Sequence, residues 1–175
     1  MTVTNRLSVR RSLALLALLG VVGLAAYVVA TARASSVTAV HFTPDTFVSA
    51  SPGATWTIDF TTTGAGALVV GNAVDVTFPA GFDVSGASAA FTATGFTGGC
   101  TTPVVAHPAA QTVSVPLTGG MCQLAANTAG SITITGISAI ATQYSRFGFS
   151  VSTYADTTFT TPIDGSGSCR CSLVG

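Results

Sequence analysis

The sequence predicts an all-β domain of two antiparallel sheets packed face to face, preceded by an N-terminal hydrophobic segment that exports the chain. Three observations predict it. The chain contains no Lys and no Glu, so two of the best helix formers are missing, while Thr, Val, Gly, Ser and Phe are abundant. Beyond residue 35, short runs alternate apolar and polar residues with a period of two. No helical period of useful length follows the N-terminal segment; "QLAANTAG" has room for one turn.

The N-terminus carries Arg6, Arg10 and Arg11 and no acidic residue, followed by an unbroken apolar run from Leu13 to Ala32. Ala30-Thr31-Ala32 and Ala32-Arg33-Ala34 offer overlapping small-x-small sites, which place signal cleavage at Ala32 or Ala34. The run is about 20 residues, longer than the usual export core and long enough to cross a bilayer. The alternative is therefore a signal anchor retained over residues 13–32, its arginines held in the cytoplasm. Arg10-Arg11 matches a twin-arginine signal only loosely. Either way, the chain after Ser35 is expected to be secreted, at the cell surface, or membrane-anchored. No lipobox cysteine, apolar C-terminal tail or cell-wall sorting motif is visible, so release or retention by the N-terminal helix is expected. The expected organisation is an export segment at 1–34, a β-sandwich at 35–163 and a Gly/Ser/Cys-rich tail at 164–175.

The exported part holds six Asp (Asp45, Asp59, Asp75, Asp83, Asp156, Asp164) against Arg146 and Arg170. Nucleic-acid binding needs clustered Lys and Arg to neutralise phosphates, and two scattered arginines exclude it. About 140 residues suffice for one domain with a substantial core.

Taken in order, the strands begin with a weak candidate, "TAVHF", near residue 40. "ATWTIDFTT" places Trp56, Ile58 and Phe60 on one face and Thr55, Thr57 and Asp59 on the other. "AVDVTF" does the same with Val74, Val76 and Phe78, and "AAFTATGF" near residue 92 is a second weak candidate. "QTVSVPL" offers Val113 and Val115, "SITITGI" Ile132 and Ile134, and "RFGFSVSTY" Phe147, Phe149 and Val151. Strands with one apolar face each must pair those faces, which two packed sheets accomplish; a closed barrel is the alternative. Pro116 predicts an edge strand, because proline cannot donate to a ladder. In "FPAGF", Pro79 removes a donor and Gly81 permits positive φ, so the strand ends there in a corner.

"ATWTIDFTTTGAGALVVGNAVDVTFPAGFDV", residues 54–84, resembles the front half of immunoglobulin-like β-sandwich modules of bacterial secreted and cell-surface proteins. In these a strand ending in Phe-Thr-Thr leads through a Gly/Ala/Leu turn to a strand running into Phe-Pro-x-Gly. "SRFGFSVSTYADTTFTTPIDG", residues 145–165, is similar to their closing strand pair. The resemblance implies an extracellular structural or adhesive domain, usually non-catalytic. This chain carries one copy, unlike surface arrays of such modules.

Cys100, Cys122, Cys169 and Cys171 are bound for an oxidising compartment, so disulfides are expected. Cys100 and Cys122 each follow a Gly-rich turn, and a bridge between them would contribute roughly 3 kcal/mol. Cys169 and Cys171 in a strand would lie about 6.6 Å apart, near the limit for a bridge, so their pairing stays open between a bent local disulfide, a partner molecule and a metal or redox role.

Other groups invite chemistry. "DGSGS", Asp164–Ser168, fits the pattern of metal-dependent adhesion sites but lacks their α/β setting and reads as a linker. His41, Cys100, His107 and Met121 are the ligand types of a blue-copper centre without its tight loop spacing, a distant alternative. No Gly-x-Ser-x-Gly elbow is present, and glycoside cleavage would need Asp alone. Asp83, Asp156 and Asp164 form no recognised calcium loop. The expectation is thus a non-enzymatic module without a cofactor, meeting an unknown extracellular protein or polysaccharide. The alternative is a carbohydrate-binding module that uses Tyr144, Tyr154, Phe91 or Phe96. Trp56 shares a face with Ile58 and Phe60 and belongs to the core.

Overall fold

The structure is a computed structural model and describes residues 35–45, 52–92, 94–101, 105–138 and 146–172. The export segment, with Ala32 and Ala34, lies outside these residues, as does Tyr144. No helix among the described residues is long and apolar enough to cross a membrane.

Strands β1 (Thr38–Pro44), β2 (Ala54–Thr61), β9 (Ala129–Ile137) and β5 (Ser88–Phe91) form one sheet in the order β1-β2-β9-β5. The other runs β11-β10-β4-β7-β6, from β11 (Pro162–Ser172), β10 (Arg146–Tyr154), β4 (Ala73–Thr77), β7 (Thr112–Pro116) and β6 (Val105–His107). A ribbon of β3 (Leu68–Val69) and β8 (Gln123–Leu124) stands apart. All pairings between these strands are antiparallel.

The period-two pattern decides which side chains meet. β2 buries Ala54, Trp56, Ile58 and Phe60 while the intervening residues stay half-buried. Ile132 and Ile134 from β9, Val74 and Val76 from β4, Val113 and Val115 from β7, and Phe149 and Val151 from β10 face them in one core. Each such side chain contributes about 1.5–3 kcal/mol by leaving water. Trp56 sits at the centre, edge-on to Phe78 at 5.8 Å and Phe82 at 5.7 Å, with Phe149 at 5.2 Å. Its Nε1 is buried without a hydrogen-bond partner among the described residues.

"FPAGF" is a corner built from both ends: Phe78 and Phe82 are buried, Phe82 N donates to Pro79 O at 3.3 Å, and Gly81 has φ of 95°. Two expectations are corrected. Pro116 does not mark an edge strand, because β7 lies between β4 and β6. Among the described residues the β6 register runs from His107↔Thr112 to Val105↔Ser114 and leaves Pro116 outside it.

Residues 164–172 are not a tail. They continue β11, paired with β10 as far as Arg146↔Ser172. The small residues of "DGSGS" allow this rather than a linker. Gly165 N donates to Ser35 O at 2.7 Å, and Val37 N donates to Gly165 O at 3.2 Å. A Cβ on Gly167 would lie 2.3 Å from Val37 O, so only glycine lets β1 approach this closely. Asp164, expected in a solvated linker, is fully buried.

Candidate functional site

One end of the sandwich is built from two Gly-rich loops held side by side. Thr97 and Gln123 exchange N–H···O bonds of 3.0 Å in each direction, and Thr101 N donates to Thr118 O at 2.8 Å. The bridge between Cys100 and Cys122 crosses this ladder, with Cα atoms 4.5 Å apart. Next to it lies the turn after β3. Val69 N donates to Asn72 Oδ1 at 2.8 Å, Gly71 N to Leu117 O at 3.0 Å, and Asn72 Nδ2 to Ala155 O at 3.0 Å. These bonds fix the backbone so that Leu68 points into the core while Val69 and Val70 face solvent.

The result is an apolar surface. Val69 is 52% exposed, Val70 48% and Met121 80%, and among the described residues these are the exposed large hydrophobics. With Gly120, Cys122 and Gln123 they line an open depression of about 300 Å³. None of the six carries a charge. Scattered exposed apolar residues need no explanation, but a cluster on one surface has the character of an interaction site. Nothing in the strand pattern predicts it. Its one signal was "LVVGN", where consecutive apolar residues break the alternation just before a turn.

The other singled-out residues disperse. Cys100 is bonded to Cys122, which removes the thiolate that a copper centre would need; His41 lies on β1 and His107 on β6, in different sheets. No group of three His, Cys, Asp or Glu able to hold a metal occurs among the described residues. Cys169 is disulfide-bonded; the side chain of Cys171 lies outside what is described. Asp83 caps its own turn through Ser85 N at 2.9 Å, while Asp156 accepts from Thr158 N, Thr160 N and Thr161 N at 2.9, 3.1 and 2.8 Å. These carboxylates shape loops. Of the candidate sugar platforms, Phe91 packs on Phe96 with centroids 4.4 Å apart, and Tyr154 meets Phe159 edge-to-face at 5.5 Å.

No family model matches the chain, and no curated protein sequence does. Among solved structures, a collagen-binding domain from a Staphylococcus aureus adhesin is similar over 78% of this chain and 100% of that domain, at 11% identity and a TM-score of 0.37.

Proposed function

We propose that this chain is an exported, non-catalytic, immunoglobulin-like β-sandwich that makes a surface interaction through its disulfide-braced apolar end. The observation that carries the reading is the gathering of Val69, Val70 and Met121 around one uncharged depression. The immunoglobulin-like part rests on strand order: β1-β2-β9-β5 and β11-β10-β4 correspond to the four- and three-stranded sheets of that fold, with β6 and β7 inserted at the free edge of β4. Export is supported by the Cys100–Cys122 bridge, which needs an oxidising compartment to persist. Sugar binding is not favoured, since Phe96 is buried against Phe91 and Tyr154 meets Phe159 edge-to-face rather than forming a coplanar platform.

The test is binding of the labelled exported protein to the surface of its native host cells. Saturable binding is expected, lowered tenfold or more by Val70→Asp or Met121→Asp with unchanged circular dichroism. Wild-type binding by both variants, or no saturable binding by the parent, would overturn the assignment.

A further inference from the structure

The outer face of the five-stranded sheet carries a second, different site. Its cross-strand rows are Tyr154–Ala73–Pro116, then Ser152–Asp75–Ser114, then Thr77–Thr112–His107. Phe159, in the β10–β11 connection, contacts the first and last of these rows. Its ring is 5.5 Å from that of Tyr154 at 86° and 6.4 Å from that of His107 at 80°. It therefore reaches across the middle row, where Asp75 and Ser114 meet. Ser114, on the outward face of its strand in that middle row, is fully buried. Phe159 is held there with φ of 60°, unusual for a bulky residue, in a loop whose backbone N–H groups are gathered by Asp156.

Asp75 is poorly compensated. Ser114 Oγ is the one hydrogen-bond donor to its carboxylate among the described residues, and it forms no ion pair there. Burial raises its proton affinity, and the Ser114 hydrogen bond and the nearby His107 act against that. A half-buried anion beside mutually perpendicular rings is complementary to an organic cation, which gains both charge pairing and cation–π contact. A neutral sugar would want a flat platform, and a metal ion would want more ligands than Asp75 and His107 supply.

We propose that Asp75, with the rings of Phe159, Tyr154 and His107, binds a single organic cation: a guanidinium or ammonium head group, carried by a partner's Arg or Lys or by a free small molecule. The exported part has no lysine, and its two arginines are outnumbered by six aspartates, so a cation from outside meets few competitors within the chain. This site shares no residue with the apolar depression.

Titration of the ¹⁵N-labelled exported protein with acetyl-Gly-Arg-Gly-amide, acetyl-Gly-Lys-Gly-amide and choline, followed by amide chemical shifts, tests it. Saturable shifts at Asp75, Ser114 and Phe159 are expected, with dissociation constants on the order of 1 mM. Asp75→Asn, which keeps an acceptor for Ser114, should weaken binding tenfold or more with its spectrum still dispersed; Phe159→Ala should weaken it severalfold. Binding of the peptides without choline identifies a partner side chain as the source, and binding of choline identifies a free cation. The proposal is overturned by equal binding of an acetyl-Gly-norleucine-Gly-amide control, by undiminished binding in Asp75→Asn, or by no saturable shift up to about 50 mM of any cation.

Discussion

Two aspartates show how position rather than residue type sets a carboxylate's role. Asp164 is fully buried, and its carboxylate accepts from Thr63 N at 3.1 Å and from the Thr63 hydroxyl, tying the β2–β3 connection to β11. Asp164→Ala strands both donors and should cost about 3 kcal/mol, read from urea denaturation. Gly66→Ala should approach the same loss, because its Cβ would lie 2.1 Å from Asp164 Oδ2 and 2.7 Å from Thr63 N. Asp75 behaves differently: burial raises its carboxyl from the ordinary aspartate value. Between the unfolded and folded titrations the native state retains a proton that the unfolded chain has lost, so stability falls as pH rises through that window and stays lower above it. Asparagine does not titrate. Asp75→Asn should therefore be more stable than the parent at neutral pH, with the difference closing on the acid side of the window. Urea midpoints of the two proteins across a pH series would show it.

At the scale of elements, short pieces are held by devices that differ from strand pairing alone. The β3–β8 ribbon pairs only Leu68↔Leu124 and Val69↔Gln123, too little to be stable by itself. Its neighbours are braced by the Cys100–Cys122 bridge, which spans 22 residues of sequence. Replacing both cysteines by serine should cost roughly 3 kcal/mol and lower the calorimetric Tm. The β10–β11 connection is held by Asp156, whose hydrogen bonds, Thr158 first among them, keep its carboxyl well below the usual range. The strands themselves were legible from alternation: Trp56, Ile58, Phe60, Val74, Val76, Ile132, Ile134, Phe149 and Val151 all face the core as their spacing predicts. Pro116 does not mark an edge because edge position is a property of spatial neighbours, which no local signal in the sequence specifies. Residues 164–172 were misread because Gly and Ser are turn formers in isolation, yet in β11 they are what lets β1 pack closely.

For the whole molecule, β11 is the element whose length the sequence hid: only its start fell within the expected closing strand pair, and the fold uses the rest. It pairs along β10, bridges to Ser36 and Val37, and supplies Asp164. Deleting residues 164–175 should therefore abolish folding, with loss of near-ultraviolet circular dichroism and of amide dispersion. An intact spectrum would show that β10 closes the sheet unaided. The outward faces are covered largely by hydroxyls rather than charges, as in the Thr43–Thr57–Thr133 row across the first sheet, so a chain with only 7% charged residues still presents a polar surface. The sequence by itself determined the all-β class, the inward side chains and the corner at Pro79, since these follow from side-chain alternation and from what proline and glycine do to a backbone. Tertiary structure alone decided the apolar end at Val69, Val70 and Met121 and the meeting of Asp75, His107, Tyr154 and Phe159. Those groups are far apart along the chain, and only strand register and loop docking bring them together.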